Sequence, residues 1–428
     1  MSKSKKNTPT PDGPEFNTFH FNLTGLTFFS LALIAGSAFL TYSVTTRLHP
    51  APKEDNTAKF GMELRDKDSV KSSGPWGDLL YNNIELERPD EYLSTDTTRP
   101  EEEKWEFAGT KADAVKTFLA GSGVPAGELA GAFRADTVTE ATAGTEFRPP
   151  EDFIFGLTTE TRQKLYAALA WKNINLYFDY PFVFPAKTLE TIYADPRLAA
   201  DDVTMLKKLV YPNGSAMQLT DYATLIRKIP TQERRVAMAR VLSRQTAVVP
   251  RLYIGADTDI DKIAAYWGNV PNVRFTDIRP LMESMKAQPG GGSISLEYLL
   301  PKFARERLFT YPLPSQAGDP VMDCHWSTFN FANETPDNRL NDPNYAINFI
   351  RSNYYNIAAP SLCGDVLLLM NDRDEIKHSA VYLADDLVFT KNGNNYSQPW
   401  MIMHIHDLLA FYPENPPMKT VYMRRRID

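Results

Sequence analysis

Hydrophobic and polar positions follow three different rhythms along the chain. Between Glu15 and Arg47 there is no Asp, Glu, Lys or Arg, and residues 23–44, LTGLTFFSLALIAGSAFLTYSV, are mostly apolar or small. At 1.5 Å per residue such a stretch spans a bilayer core of roughly 30 Å, which predicts a transmembrane helix after a short tail, residues 1–22. A cleaved signal peptide is the competing reading, because Lys3, Lys5 and Lys6 make a positive N-terminal region. The apolar run is longer than a usual signal core, however, and no A-x-A site closes it. Basic residues flank both ends, so the charge rule for orientation is nearly balanced. The large domain is placed outside the inner membrane, periplasmic or extracellular, since long domains translocate with little regard for charge.

The second rhythm is helical. Residues 45–110 are polar, carry Pro50, Pro52, Pro75, Pro89 and Pro100, and end in RPEEEKWEF, which predicts a linker with a solvated acidic cluster. From 111 to 311 the apolar spacing suits helices: KADAVKTFLAGSGVPAGELAGAF, TTETRQKLYAALAWKNINLYF, ADDVTMLKKLVY, DYATLIRKI, TQERRVAMARVLSRQ and DIDKIAAYW, with a strand-like VVPRLYIGA among them. This middle region is expected to be mainly helical, and its role is open between a substrate-gating domain and a partner surface. PGGGS at 289–293 lacks the Lys-Ser/Thr ending of a phosphate loop and reads as a turn.

The third rhythm begins near residue 312. VLLLM (366–370) is a continuous apolar run, as in a strand covered on both faces. HSAVYLADDLVFTKNG (378–393) reads as a hairpin around ADD, and KTVYMRRR (419–426) as a closing strand. With a short element ahead of them, these strands predict an α+β domain over 312–428 built on an antiparallel sheet.

Composition narrows the function. The chain has 428 residues, enough for more than one folded region, and its 43% hydrophobic content supports a core. A net charge of -7 gives no basic excess for phosphate contacts, so no nucleic-acid partner is expected. Two cysteines exclude a disulfide scaffold and a cysteine-rich zinc site. Both cysteines and four of the six histidines, His325, His378, His404 and His406, lie beyond residue 312, so any chemistry is concentrated there. Cys324, in VMDCHWSTFNF, is the candidate nucleophile, and His378 the candidate base that gives it thiolate character. Cys363 reads as a packing residue, not bonded to Cys324. Trp326, Phe329 and Phe331 read as core rather than a substrate platform. His404 and His406 have the spacing of an H-x-H metal pair on a strand. Asp407 falls one residue short of H-x-H-x-D-H and better suits a helix cap, so no metal and no other cofactor is expected.

The order of DC at 323–324, GDVLLL at 364–369, HSAVYLADDLVF at 378–389 and the arginine-rich VYMRRR resembles the NlpC-type cell-wall peptidases, a papain-like family. The resemblance covers the last hundred or so residues. It implies a papain-like domain with Cys324 as nucleophile and His378 as base, cleaving peptide amides in peptidoglycan. Two departures stand out. His325 and Trp326 follow the cysteine where the family has small residues, and the position of its third residue, commonly a histidine, holds Thr390. Asn392 is the alternative orienter of the imidazole, since an asparagine serves in some papain-like enzymes. A three-residue hairpin loop, 384–386, would set His378 opposite Asn392 with Thr390 on the same face; a two-residue loop would move both away.

The sequence therefore predicts a membrane-anchored cysteine hydrolase of the cell envelope acting on an amide, with peptidoglycan peptides the favoured substrate class. The alternatives are an inactive papain-like binding or scaffold protein, and acyl transfer to an acceptor other than water.

Overall fold

The computed structural model describes residues 72–98, 102–170, 181–214, 216–270, 273, 275–312, 322–393, 398–412 and 417–426. The run VLLLM forms a strand, Val366–Met370, whose alternate residues enter two cores. Val366 and Leu368 join one apolar cluster, Leu367 and Leu369 another. A strand buried this way must satisfy its backbone on both edges. It does so antiparallel to Ile376–Ala384 and to Lys419–Arg425. Among the described residues this sheet has six antiparallel strands in the order Tyr354–Ile357, Lys419–Arg425, Val366–Met370, Ile376–Ala384, Leu387–Lys391 and Trp400–His404.

Against this sheet packs the helix Cys324–Asn330. HWSTFNF has poor helix propensity, and packing overrides it: Trp326, Phe329 and Phe331 are all buried in the larger cluster, as core residues should be. Asp323 caps the helix by accepting the Trp326 N–H at 2.7 Å.

The expected architecture of membrane helix, linker, helical region and papain-like domain is corrected to a mixed α/β fold. Among the described residues no helix is long and apolar enough to cross a membrane, and residues 23–44 lie outside them. Part of the expected linker is core. Gly77–Leu86 is a strand whose Leu79 is fully buried, and it pairs antiparallel with Gln245–Ile254 from Asp78↔Tyr253 to Leu86↔Gln245. Its partner lies far along the chain, so no local pattern announces it. The middle region also holds two three-stranded sheets, one of Trp105–Ala108, Gly144–Phe147 and Val138–Ala141, the other of Phe182–Pro185, Ala216–Leu219 and Tyr211–Asn213. Their strands are too short to show an alternation. The predicted helices do form, among them Thr159–Ala170, Ala200–Leu209, Tyr222–Lys228, Gln232–Leu242 and Ile260–Trp267. The larger apolar cluster holds Leu79, Val248 and Leu252 together with Val381, Phe389 and Trp400, and so runs across residue 311.

Apart from the sheet, one polar network is wholly buried. Arg162 faces Asp221 at 3.2 Å with both side chains at 0% exposure. Tyr166 donates to Asp221 at 2.5 Å, and Glu103 accepts from Trp105 Nε1 and Thr224 Oγ1, each at 2.8 Å. Two carboxyl groups thus meet in one buried network whose guanidinium pairs with Asp221. Burial, and then the Asp221 charge, hold the Glu103 pKa well above the usual carboxylate range, so Glu103 is the protonated member and hydrogen-bonds Asp221. Arg162→Leu, which strands Asp221, is therefore expected to cost about 3–5 kcal/mol in urea unfolding. Glu103→Gln, which replaces a neutral donor by another, should cost less than about 1.5 kcal/mol. Equal losses in the two variants would show that Glu103 is ionised.

Candidate active site

The site is built where the first turn of the Cys324 helix meets the start of the Ile376–Ala384 strand. Cys324 is the first residue of its helix and 5% exposed. Its carbonyl accepts from Ser379 Oγ at 3.3 Å, which ties the helix to the strand beside His378. Two imidazoles, the adjacent His325 and His378, act on the thiol.

His378 is placed by the register of its hairpin. The turn is two residues, Asp385 and Asp386, with Asp385 at φ 55° and Ala384 opposite Leu387. Alone, that turn would carry Thr390 and Asn392 to the face away from His378. A bulge between Tyr382 and Ala384 takes up Leu383 and restores Tyr382↔Val388 and Val381↔Phe389. Extrapolated along the strands, that register sets Asn392 across from His378 and puts Thr390 on the His378 face, where its hydroxyl meets the imidazole at 2.9 Å. The expected three-residue loop is replaced by a two-residue turn plus a bulge, with the same result for the site.

The hydrogen bonds fix the tautomer of His378. Thr390 Oγ1 lies 2.9 Å from His378 Nε2 and donates to Asn392 Oδ1 at 3.4 Å. Its proton is committed to Asn392, so it accepts from Nε2–H. The other nitrogen, Nδ1, lies 2.7 Å from the Tyr412 hydroxyl, whose oxygen is already held by the Gly393 backbone. Tyr412 therefore donates to Nδ1, and the Nδ1 lone pair is the basic one. The Tyr412 ring also stacks on the imidazole, with centroids 4.4 Å apart. Thr390, not Asn392, touches the ring. Asn392 acts one step back and also lies 3.6 Å from Met403 sulfur.

His325 is held in a parallel way. Its Nδ1 lies 3.0 Å from Ser379 Oγ, whose own proton goes to the Cys324 carbonyl. Nδ1 is thus the donor to Ser379, and Nε2 is left for the thiol. Burial pushes the Cys324 pKa up, but the charges and hydrogen bonds of His325 and His378 outweigh it and hold the thiol well below its ordinary value. The reciprocal effect falls on His325. Burial lowers its pKa, and the Cys324 thiolate followed by Asp323 raises it to about 9. The imidazolium that balances the thiolate at neutral pH is accordingly His325. Lys391, fully buried, adds a second cation whose pKa burial lowers to about 8 against the opposing pull of Cys324 and Asp323. It donates to the Gly393 carbonyl at 3.0 Å. The Asp323 carboxyl is raised, by burial first and by Cys324 second, and its cap bond to Trp326 turns it toward the helix.

Three of these groups escape a reading of the sequence. His325 looks like crowding beside the cysteine, Lys391 like an exposed end of a strand, and Tyr412 lies beyond the next strand. The sequence signal for His325 is its adjacency to Cys324; Tyr412 has none. Cys363 is buried too, but no imidazole meets it, and burial with the Asp365 charge drives its thiol up. Cys324 and Cys363 are not bonded to each other. His404 ends its strand and His406 sits in the helix Ile405–Ala410, so the pair does not share a strand face by alternation. Asp407 does not cap that helix, whose N-cap residue is His404.

Comparison of this chain with protein families, with curated proteins and with solved structures finds no match.

The two thiols are expected to differ sharply in reactivity. Iodoacetamide at pH 7 should label Cys324 at least about tenfold faster than Cys363, since each pKa unit is a tenfold change in thiolate. The midpoint of the Cys324 rate against pH should lie well below that of a free thiol. His325→Ala should raise it, because removing the imidazolium removes the charge that favours the thiolate. A midpoint at the free-thiol value in the wild-type protein would contradict this reading.

Proposed function

We propose that this chain is a cysteine hydrolase of peptide amides, with Cys324 as nucleophile. The observation that supports it is a buried thiol held well below its ordinary pKa by two imidazoles, His325 fixed by the Ser379 hydroxyl and His378 by the hydroxyls of Thr390 and Tyr412. A merely packed cysteine has no use for such an arrangement. In the proposed reaction the Cys324 thiolate attacks the carbonyl carbon and the C–N bond breaks. The departing nitrogen takes its proton from the His325 imidazolium. Water then adds to the thioester carbonyl, its proton passes to Nδ1 of His378, and the C–S bond breaks. The thiolate returns, and the proton on His378 re-equilibrates to His325. Thr390 and Asn392 are positioning residues that hold the Nε2 side of the ring, and the Tyr412 hydroxyl must leave Nδ1 before that nitrogen takes the proton.

For the substrate we propose the peptide stems of peptidoglycan, on the strength of the order DC, GDV, HSAVY and VYMRRR shared with the NlpC-type peptidases. A second reading, a binding protein without turnover, is favoured by one observation: Cys324 is 5% and His378 0% exposed, and Tyr412 occupies the basic nitrogen.

Digestion of purified sacculi, followed by mass spectrometry of the released peptides, separates the two. The hydrolase reading expects new amine and carboxyl ends from wild type and none from Cys324→Ser or His378→Ala. Thr390→Val should lower the rate about fivefold or more, the worth of one lost hydrogen bond of about 1 kcal/mol, and Asn392→Ala less. Wild-type protein that sediments with sacculi, labels at Cys324, and releases nothing would make the binding reading correct.

A further inference from the structure

The same hairpin carries a second cluster of chemistry at its turn. Asp386 is the second residue of the turn, and the adjacent strand Trp400–His404 brings His404 opposite Leu387, one residue on. Asp386 also accepts the Ile405 N–H at 2.7 Å through its carbonyl, so the turn and the strand end are locked together. His404 Nδ1 lies 2.8 Å from Asp386 Oδ1, and His406 Nδ1 lies 3.6 Å from Asp386 Oδ2. The two imidazole rings are stacked, 5.2 Å between centroids and 24° from parallel. One donor atom from each of the three residues falls within 4.8 Å of the others.

These distances discriminate. Metal bonds of about 2.0–2.1 Å to imidazole nitrogen and carboxylate oxygen place the ligand atoms of a tetrahedron about 3.3 Å apart. His404 Nδ1 is within hydrogen-bond distance of Oδ1 and His406 Nδ1 lies 3.6 Å from Oδ2, so a small adjustment of the side chains would bring one donor of each onto a shared ion. A plain ion pair accounts for His404 and Asp386. It does not account for His406, an exposed side chain whose ring lies nearly parallel to His404 with the corresponding nitrogen turned to the same carboxylate. The outer surroundings also suit a metal centre. His406 Nε2 lies 3.3 Å from Asp407, the carboxylate that commonly orients a ligating imidazole. On the other side Tyr81 packs its ring edge-on to His404 at 5.7 Å and donates to Asp385 at 2.7 Å, which holds the turn.

We propose that Asp386, His404 and His406 bind one divalent first-row metal ion, zinc being the ion whose geometry and ligand preference fit best, with a fourth position open to water. The ion would clamp the hairpin turn to the end of the neighbouring strand and to the helix Ile405–Ala410 that follows it. The proposal is independent of the function assigned to Cys324.

The test uses the full chain without an affinity tag, stripped with a chelator and titrated with Zn²⁺ and, separately, Co²⁺. Saturable binding of one ion is expected, with a rise in the thermal midpoint and, for Co²⁺, a visible absorption band of tetrahedral strength. His406→Ala removes an exposed ligand with little risk to the fold, and should weaken binding at least about tenfold, the lower bound seen even for second-shell changes. Asp386→Asn should do the same, while Cys324→Ser should leave binding unchanged. Absence of saturable binding, equal affinity in His406→Ala, or loss of binding in Cys324→Ser would each overturn the proposal.

Discussion

The candidate site depends on a single residue that contributes no functional group. Leu383 is the extra residue of a bulge, and without it the two-residue turn at Asp385 and Asp386 would shift the pairing of the hairpin by one position. Because side chains alternate, such a slip would carry Thr390 and Asn392 to the other face of the sheet and leave the His378 imidazole without its hydroxyl partner. The bulge is held from within: Leu383 is fully buried in the larger core, and its carbonyl accepts from the Tyr266 hydroxyl at 2.8 Å. The helix carrying Tyr266 comes from the middle of the chain. The register that shapes the site is thus secured by a contact with a distant part of the sequence.

The second constraint is charge in a dry place. A thiolate at a position only 5% exposed would ordinarily be penalised and remain protonated. Here it is matched by a partly buried imidazolium on the next residue and by Lys391 nearby. The counter-ions are themselves anchored, His325 by Ser379 and Lys391 by the Gly393 carbonyl. Buried charge is tolerated when each partner is both paired and hydrogen-bonded. This also explains how a bulky His-Trp pair can follow the cysteine: Trp326 goes into the core, where its ring meets Phe303 at 5.3 Å, and His325 turns toward the sheet.

What could be read in the sequence divides along the range of the interactions. Strands that carry their own pattern, such as Val366–Met370 and the His378 hairpin, were legible, as was a helix with a clear apolar stripe such as Ile260–Trp267. Gly77–Leu86 was not, because its core-facing residues are few and its partner is remote. Within the site, Cys324 and His378 were legible as an ordered pair, and Thr390 and Asn392 through the register. The choice between those two was not, since it turns on which side chain fills the space beside Nε2. Tyr412 and Asp386 reach their positions only through the sheet, Tyr412 beyond a neighbouring strand and Asp386 through a turn joined to another strand's end.

That sheet sets the two clusters at opposite ends of one hairpin. His378, Thr390 and Asn392 lie at the open end, and Asp386 at the turn, with Leu383 between them in the chain. The register is defined from both directions: at the turn by Asp385 in its left-handed conformation, and downstream by the pairs beyond the bulge. A strand pair that is fixed at its turn loses the freedom to slide, because sliding must first undo the turn. Whatever tightens the Asp386 end, including its hydrogen bond to Ile405, therefore also narrows the positions open to His378. The precision of the imidazole is in this sense built at the far end of its own strand.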